Sequence, residues 1–328
     1  MTARRSHPAD TRPAGTPLDY LAMARPAHWT KHALILPGLA LAHLLRPAPW
    51  MQLLRGVLLG FAAAAALASA NYILNEWLDA PSDAHHPIKS RRPAVEKRLS
   101  PWGVWGLYAA LAGAGLLFAA GVGELFLITA AAFLVSGLVY NVPPWRAKDR
   151  AFADVVVEAV NNPIRLTLGW AMVESVRIPP SSLLLAYWMG GGFLMGVKRL
   201  AEYRSAVDAD GRARLALYRR SFARYSERSL LLSSVLYALL AAFFLAVFLI
   251  KYRVEYLLAV PLFAWLFVVY LDLGLEPDSI AQAPERLFRS RRLMVAAALL
   301  VVALALLTWV DIPWLARMAL PHYLRLPD

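Results

Sequence analysis

Long apolar stretches alternate with short polar connections along the whole chain. A membrane-spanning helix needs about 20 mostly apolar residues. Nine stretches meet or approach this length, and we predict a transmembrane helix for each of them. They run approximately over residues 31–46, 52–78, 103–121, 123–142, 152–175, 182–204, 229–251, 254–273 and 291–310. The first is short, and the fifth is interrupted by polar side chains and Pro163. The pattern predicts an all-α, polytopic membrane protein.

The basic residues give this predicted bundle an orientation. Lys and Arg are concentrated in the connections after the second, fourth, sixth and eighth stretches. Short loops rich in these residues stay in the cytoplasm, so we expect an inner-membrane protein with a cytoplasmic N-terminus. Residues 1–19 lack the apolar core of a signal peptide and are predicted to be a disordered cytoplasmic tail. Residues 20–328 are predicted to form one transmembrane domain.

Composition narrows the function classes. Hydrophobic residues make up 59% of the 328 residues, and the mean hydropathy is +0.49, whereas soluble domains are about 45–50% apolar. The chain has no cysteine, which excludes disulfides, thiolate metal sites and a cysteine nucleophile. The net charge of +12 lies mainly in the predicted cytoplasmic loops. We therefore expect the bilayer, and not nucleic acid, as the partner of the basic residues.

A polar stripe at the end of the second stretch is the first candidate site. Asn75, Asp79 and Asp83 recur every fourth residue, which places them on one face of a helix. Carboxylate and amide oxygens suit Mg²⁺, which usually shares them with substrate phosphates. Lys89 and Arg92 follow closely and could hold those phosphates. The alternative is a solvated helix end, although acidic residues at a helix C-terminus oppose the helix dipole.

The fifth stretch carries a second polar face. Asp154, Glu158, Asn161 or Asn162, and Arg165 lie roughly on one side of a helix. Each charge inside a bilayer costs about 2.5–3.5 kcal/mol, so these side chains should face a polar cavity shared with the stripe, or one another as a structural Glu–Arg pair. A third group combines bases with one carboxylate after the sixth stretch: Lys198, Arg199, Glu202 and Arg204. Arg25 to Lys31 is best explained, on physical grounds alone, as an interfacial anchor around Trp29.

These motifs resemble the UbiA superfamily of membrane prenyltransferases. Asn75-x3-Asp79-x3-Asp83 is similar to that family's Asn-Asp-x-x-Asp-x-x-x-Asp motif, with Glu76 in place of the first Asp. The resemblance implies nine helices around a central cavity open to the cytoplasmic side. It also implies a Mg²⁺-dependent enzyme that displaces diphosphate.

Several segments are most similar to the decaprenyl-phosphate phosphoribosyltransferase group within that superfamily. They are Arg25-Pro-Ala-His-Trp29-Thr-Lys31, Asp83-Ala-His-His86-Pro-Ile-Lys89-Ser-Arg-Arg92-Pro93 and Lys198-Arg199-x-x-Glu202. The segment from Tyr140 to Lys148 departs from this group and looks more like ordinary superfamily members. The expected partners are a polyprenyl lipid and a diphosphate-containing donor. The expected reaction is phosphoribosyl transfer to a polyprenyl phosphate; the alternative is prenyl transfer to an aromatic or polar-lipid acceptor.

The residue pattern and the resemblance together imply a set of site residues. Asp79, Asp83, Asp154 and Lys198 are the implied catalytic residues, and the implied Mg²⁺ ligands are Asn75, Asp79 and Asp83. The implied substrate-binding residues are Lys31, Asn75, Lys89, Arg92, Tyr140, Arg146, Lys148, Glu158, Asn162, Arg165, Arg199 and Glu202. A transporter is disfavoured because no inverted repeat is visible and the polar residues lie toward one side.

Overall fold

The computed structural model describes residues 12–86, 88–206, 209–276, 279–282 and 284–319. Across these ranges the chain is helical, and no β-strand forms beyond an isolated bridge between Ala14 and Arg98. The chain divides into two compact units. Unit 1 comprises residues 1–150, 164–178 and 216–220, and unit 2 comprises residues 151–163, 179–215 and 221–328.

Unit 1 is built around one long helix. Its α-helices are α1 (Pro17–Met23), α2 (Leu36–Leu45), α3 (Trp50–Asp83), α4 (Pro93–Glu96), α5 (Pro101–Val122), α6 (Glu124–Asn141) and most of α8 (Asn161–Ala171). Short 3-10 segments cover Pro26–Ile35, Lys89–Arg91 and Ala147–Asp149. α3 has 34 residues and packs against α5 and α6. The end of this helix, where the polar stripe lies, is therefore held by a packed core.

Small residues allow close backbone contact in unit 1. A Cβ atom on Gly38 would come within 1.9 Å of the Leu166 carbonyl oxygen, and one on Gly169 within 2.0 Å of the Ile35 carbonyl oxygen. Only glycine permits such an approach, so these two positions fix α8 against the segment from Ile35 through α2. The core itself consists of buried aliphatic and aromatic side chains such as Leu67.

Unit 2 contains the remaining helices. They are α7 (Ala153–Ala159), the start of α8, α9 (Ser181–Ser205), most of α10 (Ala209–Tyr218), α11 (Glu227–Tyr252), α12 (Val260–Leu275), α13 (Arg291–Trp309) and α14 (Pro313–Ala319). α9 and α11 form its main helix pair. A Cβ on Gly196 would lie 2.6 Å from the Ser234 hydroxyl, and one on Gly192 would lie 3.2 Å from the Tyr237 ring. The glycines in the middle of α9 thus allow close helix packing.

The observed helices agree with the predicted stretches in position and differ in continuity. Within the described residues, six helical segments are long and apolar enough to cross a membrane: residues 50–83, 101–122, 124–141, 227–252, 254–275 and 291–309. The first predicted stretch is shorter, because a 3-10 segment precedes α2. The fifth is divided between α7 and α8 near its polar residues. The sixth forms the 25-residue α9, which its Lys and Arg residues make more polar. The number nine stays a prediction.

The predicted disordered tail does not hold for its later part. Residues 1–11 lie outside the described residues, but the backbone of Arg98 donates to Pro13 at 2.9 Å and accepts from Gly15 at 3.0 Å. Thr16 then caps α1 in a reciprocal arrangement with Asp19. The composition of the segment predicted disorder. It could not show the ordering contacts, because their partner Arg98 lies about 80 residues away in the sequence. The prediction of one domain over residues 20–328 stays a prediction.

Candidate active site

The polar stripe occupies one face at the C-terminal end of α3. Asn75, Asp79 and Asp83 lie on the last three turns of this helix, as their spacing predicts. Asn75 donates through its amide nitrogen to the Asn141 side-chain oxygen at 2.5 Å. The stripe therefore presents three oxygen-bearing side chains on one helix.

Asp79 is bound by cations from the segment after α6. A guanidinium nitrogen of Arg146 lies 3.1 Å from Asp79 Oδ1, and the Lys148 ammonium contacts the same oxygen. Lys148 also donates to the Asn141 side-chain oxygen at 2.8 Å. Burial lowers the pKa of Lys148 to about 8, although the Asp79 charge opposes the shift. Two bases and one carboxylate thus meet at the end of α6.

The backbone at Arg146 explains how its side chain reaches Asp79. Arg146 adopts a left-handed conformation with φ of 32°, which turns the chain sharply after α6. Its guanidinium then donates back to the Asn141 carbonyl at 3.0 Å and to Asp149 at 2.9 Å. These additional acceptors hold the guanidinium in place beside Asp79.

Asp83 is bound by the segment that follows α3 itself. Its side chain is 4% exposed and contacts the Arg92 guanidinium, and Lys89 Nζ lies 4.0 Å from its other oxygen. Burial lowers the pKa of Arg92, but its ion pair with Asp83 opposes the shift. We call the whole group the α3 cluster: Asn75, Asp79, Asp83, Lys89, Arg92, Asn141, Arg146 and Lys148. In it, two carboxylates face four cations.

Glu76 has a different set of contacts from the stripe. Arg25 donates to it through two nitrogens, at 2.5 Å and 3.0 Å, and the side chain of Glu76 is only 2% exposed. Trp29 donates its indole N–H to Ser69 on the same helix at 3.2 Å. The segment from Arg25 to Trp29 therefore binds α3 directly, through Glu76 and Ser69. Its expected role as an interfacial anchor stays a prediction.

A second polar cluster lies within unit 2 and is centred on Arg199. Its guanidinium binds Asp154 at 3.2 Å, Glu158 at 3.0 Å and Glu202 at 3.1 Å. Asp154 also accepts hydrogen bonds from Ser221, at 3.0 Å, and from Tyr225. We call these six residues the Arg199 cluster. Burial and the negative charge of Asp154 raise the pKa of Tyr225, which keeps its hydroxyl as a donor.

The remaining predicted site residues are placed as follows. The Asn162 amide donates to the Ala159 carbonyl at 3.1 Å in unit 2, and Lys198 is partly buried on α9 beside Arg199. Tyr140 accepts a hydrogen bond from Arg219 at 3.3 Å. Arg165 belongs to unit 1, where its guanidinium carbon lies 5.7 Å from the Phe133 ring centre. The side chain of Lys31 lies outside the described part of the structure.

Sequence reasoning therefore found most members of both clusters and missed several. Seven of the predicted residues meet in the α3 cluster of unit 1, and Asp154, Glu158, Arg199 and Glu202 meet in unit 2. The missed members are Asn141 in the α3 cluster and Ser221 and Tyr225 in the Arg199 cluster. Asn141 follows Tyr140 directly, so its place in a polar motif was a usable signal. The predicted cavity shared by the two polar faces stays a prediction.

The α3 cluster fits a divalent cation that is held jointly with a substrate. Within the described ranges, no three His, Cys, Asp or Glu side chains form a ready-made metal site. Mg²⁺ is commonly bound by one or two carboxylates together with substrate phosphates. Asp79 and Asp83 supply such carboxylates, and the surrounding bases supply charge for an anionic ligand. The donor set thus suits Mg²⁺ in the presence of a phosphate-bearing substrate.

Comparison with known proteins places this arrangement in a family. A family model described as the UbiA prenyltransferase family matches residues 33–290. The nodulation protein NoeC of Azorhizobium caulinodans is 25% identical over 288 residues, which cover 86% of this chain and 79% of that protein. A decaprenyl-phosphate phosphoribosyltransferase of Mycolicibacterium smegmatis is 26% identical over 205 residues, which cover 61% of this chain and 63% of that protein.

The fold agrees with a solved structure of the same type. A UbiA homolog from Archaeoglobus fulgidus, bound to GPP and Mg²⁺, matches with a TM-score of 0.65 at 19% identity, over 88% of this chain and 99% of that one. Helices of this length and apolarity in this fold define an integral membrane protein of the UbiA type. The chain belongs to the UbiA prenyltransferase family and is an enzyme of that kind.

Proposed function

We propose that this enzyme uses Mg²⁺ to displace diphosphate from phosphoribosyl pyrophosphate and transfers 5-phosphoribose to a polyprenyl phosphate. The observation that carries the proposal is the α3 cluster, in which four cations surround two carboxylates on one helix end. When a phosphate binds the Lys and Arg side chains, the two carboxylates lose these partners and can bind a metal ion. The cluster thereby supports binding of a metal diphosphate with little change in its total charge.

The chain's residues act by binding and orientation. Asn75, Asp79 and Asp83 would hold Mg²⁺, which when bound supplies positive charge against the departing diphosphate. Lys89, Arg92, Arg146 and Lys148 hold the phosphate oxygens. A phosphate oxygen of the lipid forms the new bond to the anomeric carbon, and the bond from that carbon to diphosphate breaks with its electron pair. The protein contributes positioning and electrostatic stabilisation.

The choice of donor rests on two further observations. The segment Lys198-Arg199-x-x-Glu202 is similar to that of the phosphoribosyl group, and a protein named decaprenyl-phosphate phosphoribosyltransferase is similar over 205 residues. The alternative is prenyl transfer from a polyprenyl diphosphate, and it is supported by the resemblance of the fold to a homolog bound to GPP and Mg²⁺. The proposal also includes Asp154 and Lys198 as catalytic residues. Its further substrate-binding residues are Lys31, Glu158, Asn162, Arg165, Arg199 and Glu202.

The donor is identified by incubating purified protein in detergent with Mg²⁺, phosphoribosyl pyrophosphate and a polyprenyl phosphate. We expect diphosphate release that requires both substrates and stops when EDTA removes the metal. A parallel incubation contains a polyprenyl diphosphate and an aromatic acceptor. Turnover in that incubation, with none in the first, would show that prenyl transfer is the reaction.

The membrane orientation is a separate part of the proposal. The basic connections support an inner-membrane location with the N-terminus and the end of α3 on the cytoplasmic side. Because the chain has no cysteine, single-cysteine variants report accessibility directly. Ser205→Cys, in a predicted cytoplasmic connection, should resist an impermeant maleimide in intact cells, whereas Ser181→Cys should be labelled. The reverse labelling pattern would invert the orientation.

A further inference from the structure

A short part of the long connection between α9 and α11 belongs to unit 1. Residues 216–220 are assigned there, whereas residues 205–215 and 221–228 belong to unit 2. Three consecutive side chains in this part lie near the α3 cluster. Tyr218 contacts His86, Arg219 donates to Tyr140, and Arg220 approaches Asp149. None of the three was a candidate from the sequence. We call residues 218–220 the 218 segment.

Tyr218 lies against the connection that binds Asp83. Its ring centre is 4.7 Å from that of His86, with the two planes inclined by 66°. Lys89 Nζ lies 5.8 Å from the centre of the same ring, which is within the range of a cation–π interaction. Lys89 is also the cation 4.0 Å from Asp83. The Tyr218 ring therefore restricts the position of one of the bases proposed to hold phosphate.

Arg219 lies against the other half of the α3 cluster. It donates to the Tyr140 hydroxyl at 3.3 Å, and its positive charge acts on Lys148. Arg146, Lys148 and Arg219 thus bring three positive charges to the end of α6 and the segment after it. Like charges in one partly buried place repel, and a bound polyanion offsets that repulsion. This is the charge pattern expected where a phosphate binds.

Arg220 is the natural comparison within the same segment. Its side chain is 82% exposed and approaches Asp149 at 4.0 Å. An exposed pair at this distance contributes little. Two adjacent arginines therefore differ in environment, one beside Lys148 and Tyr140 and the other in solvent.

We propose that Arg219 is a phosphate-binding residue of this enzyme and that Tyr218 positions Lys89 for the same purpose. The inference rests on the proposed function, since it assigns a further part of the diphosphate site. The ligand class is a metal-bound diphosphate or another phosphate ester. Tyr218 and Arg219 then contribute to substrate affinity although they lie more than 130 residues after the polar stripe.

Binding of Mg²⁺–pyrophosphate, measured by calorimetry on the full-length protein in detergent, tests the role of Arg219. Arg219→Gln should weaken binding by about tenfold or more, since hydrogen bonds to charged groups are the stronger class. Arg219→Lys should recover part of the loss because it keeps the charge. Arg220→Gln is the matched control and should change affinity less than about twofold. Equal affinities for Arg219→Gln and Arg220→Gln would overturn the assignment.

Tyr218 is tested by a conservative and a non-conservative change. Tyr218→Phe keeps the ring and should bind Mg²⁺–pyrophosphate like the wild type. Tyr218→Ala should weaken binding by a few fold, in line with the modest energy of an exposed cation–π contact. In Lys89→Met the same Tyr218→Ala change should have no further effect, because the residue acts through Lys89. A full effect of Tyr218→Ala without Lys89 would show that Tyr218 does not act by positioning it.

The experiments distinguish a wrong donor from a wrong role for Arg219. Pyrophosphate binding requires no transfer reaction, so wild-type protein that binds it without transferring phosphoribose refutes the proposed donor alone. Wild-type protein that transfers phosphoribose, and an Arg219→Gln variant that binds and reacts equally well, refute the role of Arg219 alone. Unchanged thermal unfolding of each variant shows that the measured loss is one of binding.

Discussion

The α3 cluster and the Arg199 cluster use the same residue types with opposite charge balances. In the first, Asp79 and Asp83 face four cations. In the second, Asp154, Glu158 and Glu202 share the Arg199 guanidinium. Exposure varies within each cluster. In the first, Asp79 and Lys89 are 17% and 31% exposed but Asp83 only 4%; in the second, Asp154 and Arg199 are 0% and 1% exposed but Glu158 33%.

The two clusters therefore differ in the free-energy cost of breaking their ion pairs. Breaking a fully buried ion pair leaves an uncompensated charge in a poorly solvated place. Partly exposed pairs can exchange partners with water, metal ions or phosphates at much lower cost. The α3 cluster is therefore suited to reversible ligand binding. The Asp154–Arg199 pair also holds α7 against α9, which adds a structural contribution to the roles proposed for these two residues.

The largest effect on stability is expected from Arg199→Met. The variant leaves three carboxylates without their common partner, and removing one member of a buried pair costs about 3–5 kcal/mol. We expect a matching loss in the free energy of unfolding, measured by denaturant titration in detergent. Arg292→Met is the control, because Arg292 is 76% exposed and lies 3.8 Å from Asp272. Similar losses for both variants would remove the distinction between the two clusters.

The next effect is on activity, from Asp79→Asn. The side chain keeps its size but loses the charge that binds a metal ion and pairs with Lys148. Loss of one group that stabilises the transition state lowers kcat by about 10²–10³. Steady-state kinetics over a range of Mg²⁺ concentrations provides the measurement. Asp272→Asn is the matched control, since Asp272 is 62% exposed and lies 3.8 Å from Arg292, outside the α3 cluster, and it should retain most activity. Equal losses in the two variants would argue against a special role for the stripe.

The sequence was most informative where partners are close together in it. The spacing of Asn75, Asp79 and Asp83 determines a helix face, and Lys89 and Arg92 follow within ten residues of Asp83. These contacts depend on local geometry, so a pattern can predict them. The family resemblance then identified bases from a more distant segment, such as Lys148.

The partners of the Arg199 cluster could not be read in the same way. Asp154 binds Arg199, Ser221 and Tyr225, which lie 45, 67 and 71 residues away. Helix packing brings these side chains together, and no sequence period records it. The division of the fifth stretch into α7 and α8 could not be predicted for the same reason. The polar side chains of this stretch have tertiary partners and do not face lipid, and the sequence does not show those partners. Sequence reasoning thus detected the charges but not what neutralises them.

A smaller effect is expected from Glu76→Gln, which tests whether this carboxylate belongs to the metal site. Glu76 is buried against Arg25, so the change should lower the free energy of unfolding by about 1–3 kcal/mol. The Mg²⁺ concentration for half-maximal activity should stay the same, in contrast to Asp79→Asn. An increase of tenfold or more in that concentration, without loss of stability, would instead assign Glu76 to the stripe.

The smallest effect is expected from Ser221→Ala in the Arg199 cluster. Asp154 would lose one hydrogen bond of 3.0 Å but keep those from Tyr225 and Arg199. A single hydrogen bond contributes about 0.5–1.5 kcal/mol, and the remaining donors should hold the loss near the lower value. Tyr225→Phe should cost more, because Tyr225 also accepts from the Phe152 backbone at 2.7 Å. The double variant, measured by the same unfolding titration, should lose more than the sum of the single losses, since Asp154 then depends on Arg199. Strict additivity would mean that the two hydroxyls stabilise Asp154 independently, and the cluster would not behave as one buried network.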